Sequence, residues 1–208
     1  MLLKDYIPNI DKKYNRISFS GLAFESSKVK KDNIFFAIKG NNFDGNNFIQ
    51  KAIQMGARVI ISEKNISIKK KNILFIKTQN VRKLLAEISY KIVGQKPNIL
   101  VAVTGTNGKS SVADFYYQIL KFNKKKVASI GTIGIKQNNK KKNLNNTTLD
   151  PIQLSLILKN LKKKRIEFVI LEASSHGLKQ NRLDGLNFDI GIFTNLSHDH
   201  LDYHKTMK

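Results

Sequence analysis

The sequence predicts an α/β protein with a small N-terminal mixed α/β domain over residues 1–94 and a P-loop-type domain with a mainly parallel sheet over residues 98–208. Three observations carry that prediction. Short apolar runs alternate with helical spacings along the chain. The segment Gly94-Gln-Lys-Pro97 punctuates it near the middle. A glycine-rich stretch, Thr104-Gly-Thr-Asn-Gly-Lys-Ser110, falls between a strand pattern and a helix pattern.

In the first part, Asn33-Ile-Phe-Phe-Ala-Ile38 is a compact apolar run closed by Lys39-Gly40, which reads as a buried strand. Asn41 to Asn47 is rich in Asn, Gly and Asp and reads as a loop. Phe48, Ile49, Ala52, Ile53 and Met55 follow with helical spacing until Gly56 stops them. Arg58–Ser62 and Ile73–Ile76 read as strands. Val81–Val93 reads as a helix with Leu84, Leu85, Ile88 and Ile92 on one face. In the second part, Asn98–Val103 predicts a strand, Ser110 to about Phe122 a helix, and Val127–Ile130 a strand. Lys136–Asn146 is Asn/Lys-rich and reads as an exposed loop. Ile152–Leu161 predicts a helix with Asp150 as its N-cap and Pro151 in its first turn. Glu167–Leu171 and Phe188–Phe193 read as further strands.

Composition narrows the function classes. The 208 residues carry 37 Lys+Arg against 15 Asp+Glu, a formal net charge of +22. Hydrophobic residues make up 41%, enough for a packed core. No stretch approaches the roughly 18–20 apolar residues that span a bilayer, and the N-terminus has no apolar h-region, so a cytoplasmic protein without membrane insertion is expected. The absence of cysteine excludes disulfides, a Cys-based zinc site and a thiol nucleophile. The charge comes from 32 Lys and only 5 Arg, beside 22 Asn and 26 Ile, all favoured by A/T-rich codons apart from the Arg. Lysine runs are spread along the chain and lack the Arg suited to bidentate base contacts. An anionic small molecule, and no nucleic acid, is therefore the expected partner.

Thr104–Ser110 carries the first sharp chemical signal. Gly105 and Gly108 allow backbone N–H groups to approach an anion, and the following helix aims its N-terminal donors at it. Lys109 can neutralise β/γ-phosphates, and the Ser110 hydroxyl can ligate Mg²⁺. Val103 stands where the general G-x-x-x-x-G-K-[ST] pattern has Gly, so the match is the shorter T-G-T-N-G-K-S. The second signal is Glu172, directly after an apolar strand, with all four histidines between His176 and His204. Ligands in open parallel sheets bind beyond the carboxyl ends of strands. Glu172 and His200 are placed to hold a second Mg²⁺ or orient a nucleophile there. His176, His198 and His204 taken singly read as surface or cap residues. His-x-His also admits a zinc reading, without an H-E-x-x-H pattern to support it.

These residues carry a resemblance. Thr104–Ser110, Glu172-Ala-Ser-Ser-His176 and Phe193-Thr-Asn-Leu-Ser-His-Asp-His-Leu-Asp-Tyr-His204 resemble the Mur ligase family, specifically its members that add the third amino acid to the peptidoglycan stem. Leu22–Val29 resembles L-x-x-D-S-R-x-V; Phe35–Gly40, Asp44-Gly45, Phe48-Ile49 and Gly56-Ala57 resemble F-V-A-x-x-G…D-G-x-x-F-I…G-A; Asn146-Thr-Thr148 with Asp150-Pro151 resembles N-T-T-x-D-P. The resemblance implies a UDP-sugar-binding domain over 1–94, a central ATP-binding domain over 98–208 that is incomplete at its C-terminus, and a further ligase domain absent from this sequence. It implies an ATP- and Mg²⁺-dependent amide ligase. Such an enzyme joins meso-diaminopimelate or L-lysine to UDP-N-acetylmuramoyl-L-alanyl-D-glutamate through an acyl phosphate. By matching motif, Gly105, Thr106, Asn107, Gly108, Lys109 and Ser110 bind ATP phosphates; Ser110, Glu172 and His200 hold metal; Lys109, Glu172 and His200 form the catalytic set. Ser26 contacts the uridine, with the Asn41–Asn46 loop near the diphosphate. Asn146, Thr147, Thr148, Ser174, Gln180 and Arg182 hold the sugar-peptide.

Glu25 and Ser27 stand where the family has Asp and Arg, and His198 where close members carry Arg. Lys208 does not match the family's carbamylated lysine, which falls just beyond it. The 208 residues alone are therefore expected not to complete ligation, and to expose a sheet edge and apolar helix faces. Two alternatives stay open at this point: a folylpolyglutamate-synthase-like ligase, which shares the loop, and a non-catalytic nucleotide-binding remnant.

Overall fold

The computed structural model describes the chain except residues 9, 42, 67–69, 71, 139, 145, 200–202, 204 and 207–208, and except the side chains of residues 140 and 141. The chain divides into two units, Met1–Ile92 and Val93–Lys208.

The first unit is built on a four-stranded parallel sheet: β1 (Gly21–Ala23), β2 (Asn33–Phe36), β3 (Ala57–Ser62) and β4 (Leu74–Lys77), in that order. The inner strands read as unbroken apolar runs because both their faces are covered. Ile34, Phe35, Phe36, Val59, Ile60 and Ile61 are all fully buried. Helix α1 (Ile49–Gln54) buries Ile49, Ala52 and Ile53. It stops at Gly56, whose φ of +103° suits glycine and whose added Cβ would sit 2.9 Å from the Lys31 Cα. Helix α2 (Val81–Val93) occupies the predicted span. The Asn80 carboxamide accepts the Lys83 N–H at 2.9 Å at its start, and Gly94 has a φ of +63° just past its end.

Two features of this unit differ from the sequence prediction. Strand β1 is only three residues long, too short to show a period. The Asn41–Asn47 loop also tightens into a 3-10 turn over Gly45–Phe48. Charge holds that turn. The Asp44 carboxylate accepts the Asn46 backbone N–H at 2.9 Å, the Asn46 carboxamide at 2.6 Å and the Lys64 ammonium at 2.7 Å. These donors favour its ionised form, with Lys64 the largest cause, and hold its pKa at about 2. The Ser62 hydroxyl completes the tie by donating to the Asn46 carboxamide oxygen, Oδ1, at 2.6 Å.

The second unit carries a six-stranded sheet. Its strands are β5 (Ile99–Thr104), β6 (Val127–Gly131), β7 (Gly134–Gln137), β8 (Lys140–Lys142), β9 (Phe168–Glu172) and β10 (Ile190–Phe193), in the order β10-β5-β9-β6-β7-β8. The first four in that order run parallel; β7 and β8 are antiparallel. Helix α3 (Lys109–Phe122) follows β5, and α4 (Pro151–Lys163) is capped by Asp150, whose carboxylate accepts the Gln153 N–H at 3.0 Å. Leu154, Leu158 and Leu161 of α4 are buried at helical spacing. A short helix α5 (Ser175–Lys179) follows β9.

The prediction of an exposed loop over Lys136–Asn146 is corrected. Its first half contains the end of β7 and all of β8, which extend the sheet, β7 pairing on β6 and β8 on β7. A tight turn starts the hairpin at Gly134, with φ +102°, where a Cβ would meet the Lys142 carbonyl oxygen at 2.3 Å. Lys136 is not freely solvated either. It pairs with Asp114 of α3, and that ammonium, the largest cause, lowers the carboxyl's pKa. At the other edge, Ile190 and Phe193 of β10 are 48% and 63% exposed. Phe115, Ile119 and Phe122 form an exposed apolar stripe on α3. Among the described residues, no helix is long and apolar enough to cross a membrane.

Candidate functional site

The site is built at the carboxyl ends of β5, β6 and β9, where the strand order places three loops side by side. β5 delivers Thr104–Gly108, which runs into α3 through Gly108 in the left-handed region at φ +84°. A Cβ on Gly108 would find nothing within 4 Å, so this corner is open to an approaching ligand. The first-turn N–H groups of α3 have no helical acceptors and carry its positive pole. The Lys109 ammonium folds back over the loop, donating to the Gly105 and Thr106 carbonyls at 2.7 Å each.

β9 ends in Glu172, a carboxylate only 3% exposed. The Ser110 hydroxyl donates to its Oε2 at 2.9 Å, the Thr132 hydroxyl to the same oxygen at 3.0 Å, and the Thr132 N–H to Oε1 at 3.0 Å. A Cβ on Gly131 would lie 2.1 Å from Oε1, so glycine there makes room for the carboxylate. Among the described residues, no Lys or Arg forms an ion pair with it. Neutral donors alone answer a buried negative charge, which leaves its oxygens suited to a cation.

The other residues singled out in the sequence fall into two sets. Thr147, Ser174 and Glu172 line one cavity with the phosphate loop, of about 630 Å³. Thr147 shares a 2.9 Å hydroxyl contact with Thr132. Thr148 lies behind this surface, 4% exposed, its hydroxyl donating to the Glu172 carbonyl at 2.8 Å and accepting the Ser174 N–H at 2.9 Å. Arg182 donates to the Thr148 carbonyl and to the Gln180 carboxamide oxygen, at 2.7 Å from one terminal nitrogen. Gln180 in turn donates to the Tyr203 hydroxyl at 3.1 Å. Asn146 is exposed beside Thr147. Ser26 belongs to the first unit, half-buried in a 3-10 turn over Ser26–Lys28. His200 lies outside the described residues.

Sequence reasoning did not single out Thr132, Thr194 or Tyr203. Thr132 follows a strand in Gly131-Thr132, and a glycine at a strand's carboxyl end was the available signal. Thr194 and Tyr203 lie inside the Phe193–His204 motif, but the partners that define their contacts, Asn107 and Gln180, are distant in sequence.

Fold and loop together define a P-loop-type α/β protein. The chain belongs to the Mur ligase family: the Mur ligase middle domain matches residues 103–208, and the Mur ligase family catalytic domain matches residues 18–94. It is 43% identical over 204 residues to a UDP-N-acetylmuramoyl-L-alanyl-D-glutamate–2,6-diaminopimelate ligase of Rickettsia conorii, covering 95% of this chain and 42% of that protein. The same-named ligase of Clostridioides difficile is 39% identical over 215 residues, covering 100% of this chain and 44% of that one. A solved structure of a ligase of this name superposes with a TM-score of 0.86 at 32% identity, covering 100% of this chain and 42% of that one. The chain thus spans well under half the length of these relatives.

Proposed function

We propose that this chain is the UDP-sugar- and ATP-binding part of a ligase that adds 2,6-diaminopimelate to UDP-N-acetylmuramoyl-L-alanyl-D-glutamate in the cytoplasm. The observation that carries the reading is the buried Glu172 carboxylate hydrogen-bonded to Ser110 of the phosphate loop. It is supported by likeness to ligases of that name over nearly the whole chain.

The chemistry follows from the poor electrophilicity of a carboxylate. A substrate carboxylate oxygen bonds to the γ-phosphorus of ATP as the bridge to ADP breaks. The amine then attacks the acyl carbon, loses a proton and expels phosphate. This chain's part is to hold and orient. N–H groups at the start of α3 and the Lys109 ammonium meet the phosphates. Ser110 and Glu172 offer the hard oxygen donors that suit Mg²⁺, and His200 is assigned beside them by motif. Bound there, the ion would neutralise charge developing on the transferred phosphoryl group. Thr147 and Ser174 face the same cavity and take the sugar-peptide; Thr148, Gln180, Arg182 and Asn146 support or flank them. Ser26 and the loop through Asp44 serve the UDP moiety. The +22 charge then serves anionic substrates, not nucleic acid.

Titration with ADP in the presence and absence of Mg²⁺, then with UDP-N-acetylmuramoyl-dipeptide, tests the reading. Binding of both, with the ADP response dependent on Mg²⁺, is expected. Binding of a folate in place of the UDP sugar would move the protein to the folylpolyglutamate synthase alternative.

A further inference from the structure

Thr194, Asn195 and Ser197, which follow β10, hydrogen-bond the phosphate loop. The Thr194 hydroxyl lies 2.7 Å from the Asn107 carbonyl and 3.2 Å from the Thr104 carbonyl. The Asn195 carboxamide pairs with the Asn107 backbone on both sides: its Nδ2 donates to the carbonyl at 3.1 Å and its Oδ1 accepts the N–H at 3.0 Å. The Thr106 N–H donates to the Asn195 carbonyl at 2.9 Å, and the Thr106 hydroxyl accepts the Ser197 N–H at 2.9 Å. Gly105 has to be glycine for this to happen, because its Cβ would sit 2.1 Å from the Thr194 Oγ1.

These bonds divide the loop's donors. The N–H groups of Thr106 and Asn107 are spent on Asn195 and are withdrawn from any ligand. The Asn107 carbonyl is pinned by two side-chain donors. In a trans peptide the C=O and the next residue's N–H point in opposite directions. Pinning the Asn107 oxygen toward Thr194 and Asn195 therefore turns the Gly108 N–H away from them. Among the described residues, that N–H donates to no protein acceptor. A flip of this peptide, which glycine at 108 would permit, would present a carbonyl in its place and repel an anion.

We propose that Thr194 and Asn195 are positioning residues that lock the Asn107–Gly108 peptide so that the Gly108 N–H faces the phosphate of a bound nucleotide. The proposal rests on the nucleotide-binding reading above, and deepens it. Neither residue touches phosphate; both act through Asn107.

The test uses ADP with Mg²⁺ as the probe on the full chain, with calorimetry for affinity and NMR for the loop amides. Thr194→Val keeps the shape and removes the hydroxyl; Thr194→Ser keeps the hydroxyl; Asn195→Ala removes both carboxamide bonds. Thr194 is half-buried and Asn195 exposed, so the fold survives each change, and unchanged amide shifts in β9 check this. Thr194→Val and Asn195→Ala are each expected to weaken ADP by about tenfold. Thr194→Ser is expected to restore affinity to within about threefold, an outcome that mere packing by the threonine methyl would not give. The Gly108 amide signal should move downfield with ADP in the unaltered chain and much less in Asn195→Ala. Equal affinity across all variants, or an ADP-bound chain whose Gly108 amide does not respond, overturns the positioning role alone. Failure of the unaltered chain to bind ADP overturns the nucleotide reading and the positioning role with it.

Discussion

Each unit carries, after a parallel strand, a loop held in one shape, and the two loops are held by different means. The turn after β2 is tied by charge, through Asp44 and Lys64. The loop after β5 is tied by neutral side chains, through Thr194, Asn195 and Thr106, and by the Lys109 ammonium resting on its carbonyls. Among the described residues, no carboxylate pairs with Thr104–Gly108. The contrast is one of charge. The Asp44 carboxylate is paired with the Lys64 ammonium, so the loop proposed to lie near the UDP moiety is held by an ion pair, while side-chain hydroxyl and carboxamide groups hold the peptide of Asn107. The turn around Asp44 is therefore vulnerable to acid, and the loop around Asn107 to loss of uncharged hydrogen bonds.

Substitutions sharpen this contrast in descending order of effect. Gly131→Ala pushes a methyl into the Glu172 carboxylate and is expected to cost about 3 kcal/mol or more, confined to the second unit. Hydrogen exchange resolves it: β5 and β9 lose protection while β2 and β3 keep theirs. Equal loss in both units would sink the idea that this glycine serves only the carboxylate. Lys109→Ala is expected to weaken ADP by at least about tenfold without lowering stability by more than about 1 kcal/mol. Glu172→Gln keeps the shape and removes the charge. ADP binding by that variant is expected to lose its Mg²⁺ dependence, and calorimetry at varied Mg²⁺ reads this directly.

Asp44→Asn addresses the other loop and is smaller, about 1 kcal/mol, because Lys64 is largely exposed and solvent screens the pair. Its signature is in the pH dependence. The folded pKa of Asp44 is depressed to about 2, so the unfolded state takes up the proton first. The stabilisation is complete above the unfolded value of about 4 and disappears as pH falls through the folded one. Denaturant melts of the first unit between those limits should be steeper in pH for the unaltered chain than for Asp44→Asn. Smallest is Lys136→Met, which removes the tie between β7 and α3 and is expected to cost a few tenths of a kcal/mol to about 1 kcal/mol.

The parts legible in sequence were those set by local pattern. Helix α2 announces itself through Leu85 and Ile88 on one face, and α4 through Asp150, Pro151 and its leucines. The phosphate loop is legible because Gly105, Gly108 and Lys109 each answer a local geometric demand. What was hidden depends on partners far along the chain. Lys140–Lys142 carries no apolar signal, and its strand exists because β7 offers it an edge. Thr132 gains its place only where β6 lies beside β9, bringing it to Glu172 across 40 positions. Thr194 and Asn195 are ordinary polar residues until β10 pairs with β5 and lays them along Thr104–Gly108.

The posture of Lys109 has a thermodynamic consequence. Its ammonium already rests on two loop carbonyls, so an arriving phosphate does not strip water from a free cation. It takes over a charge that two dipoles were holding. Folding has done part of that dehydration in advance, and nucleotide capture at this half-buried residue is in part an exchange of partners. The heat released there is therefore expected to be modest, with the affinity coming from the ordering that capture no longer has to impose.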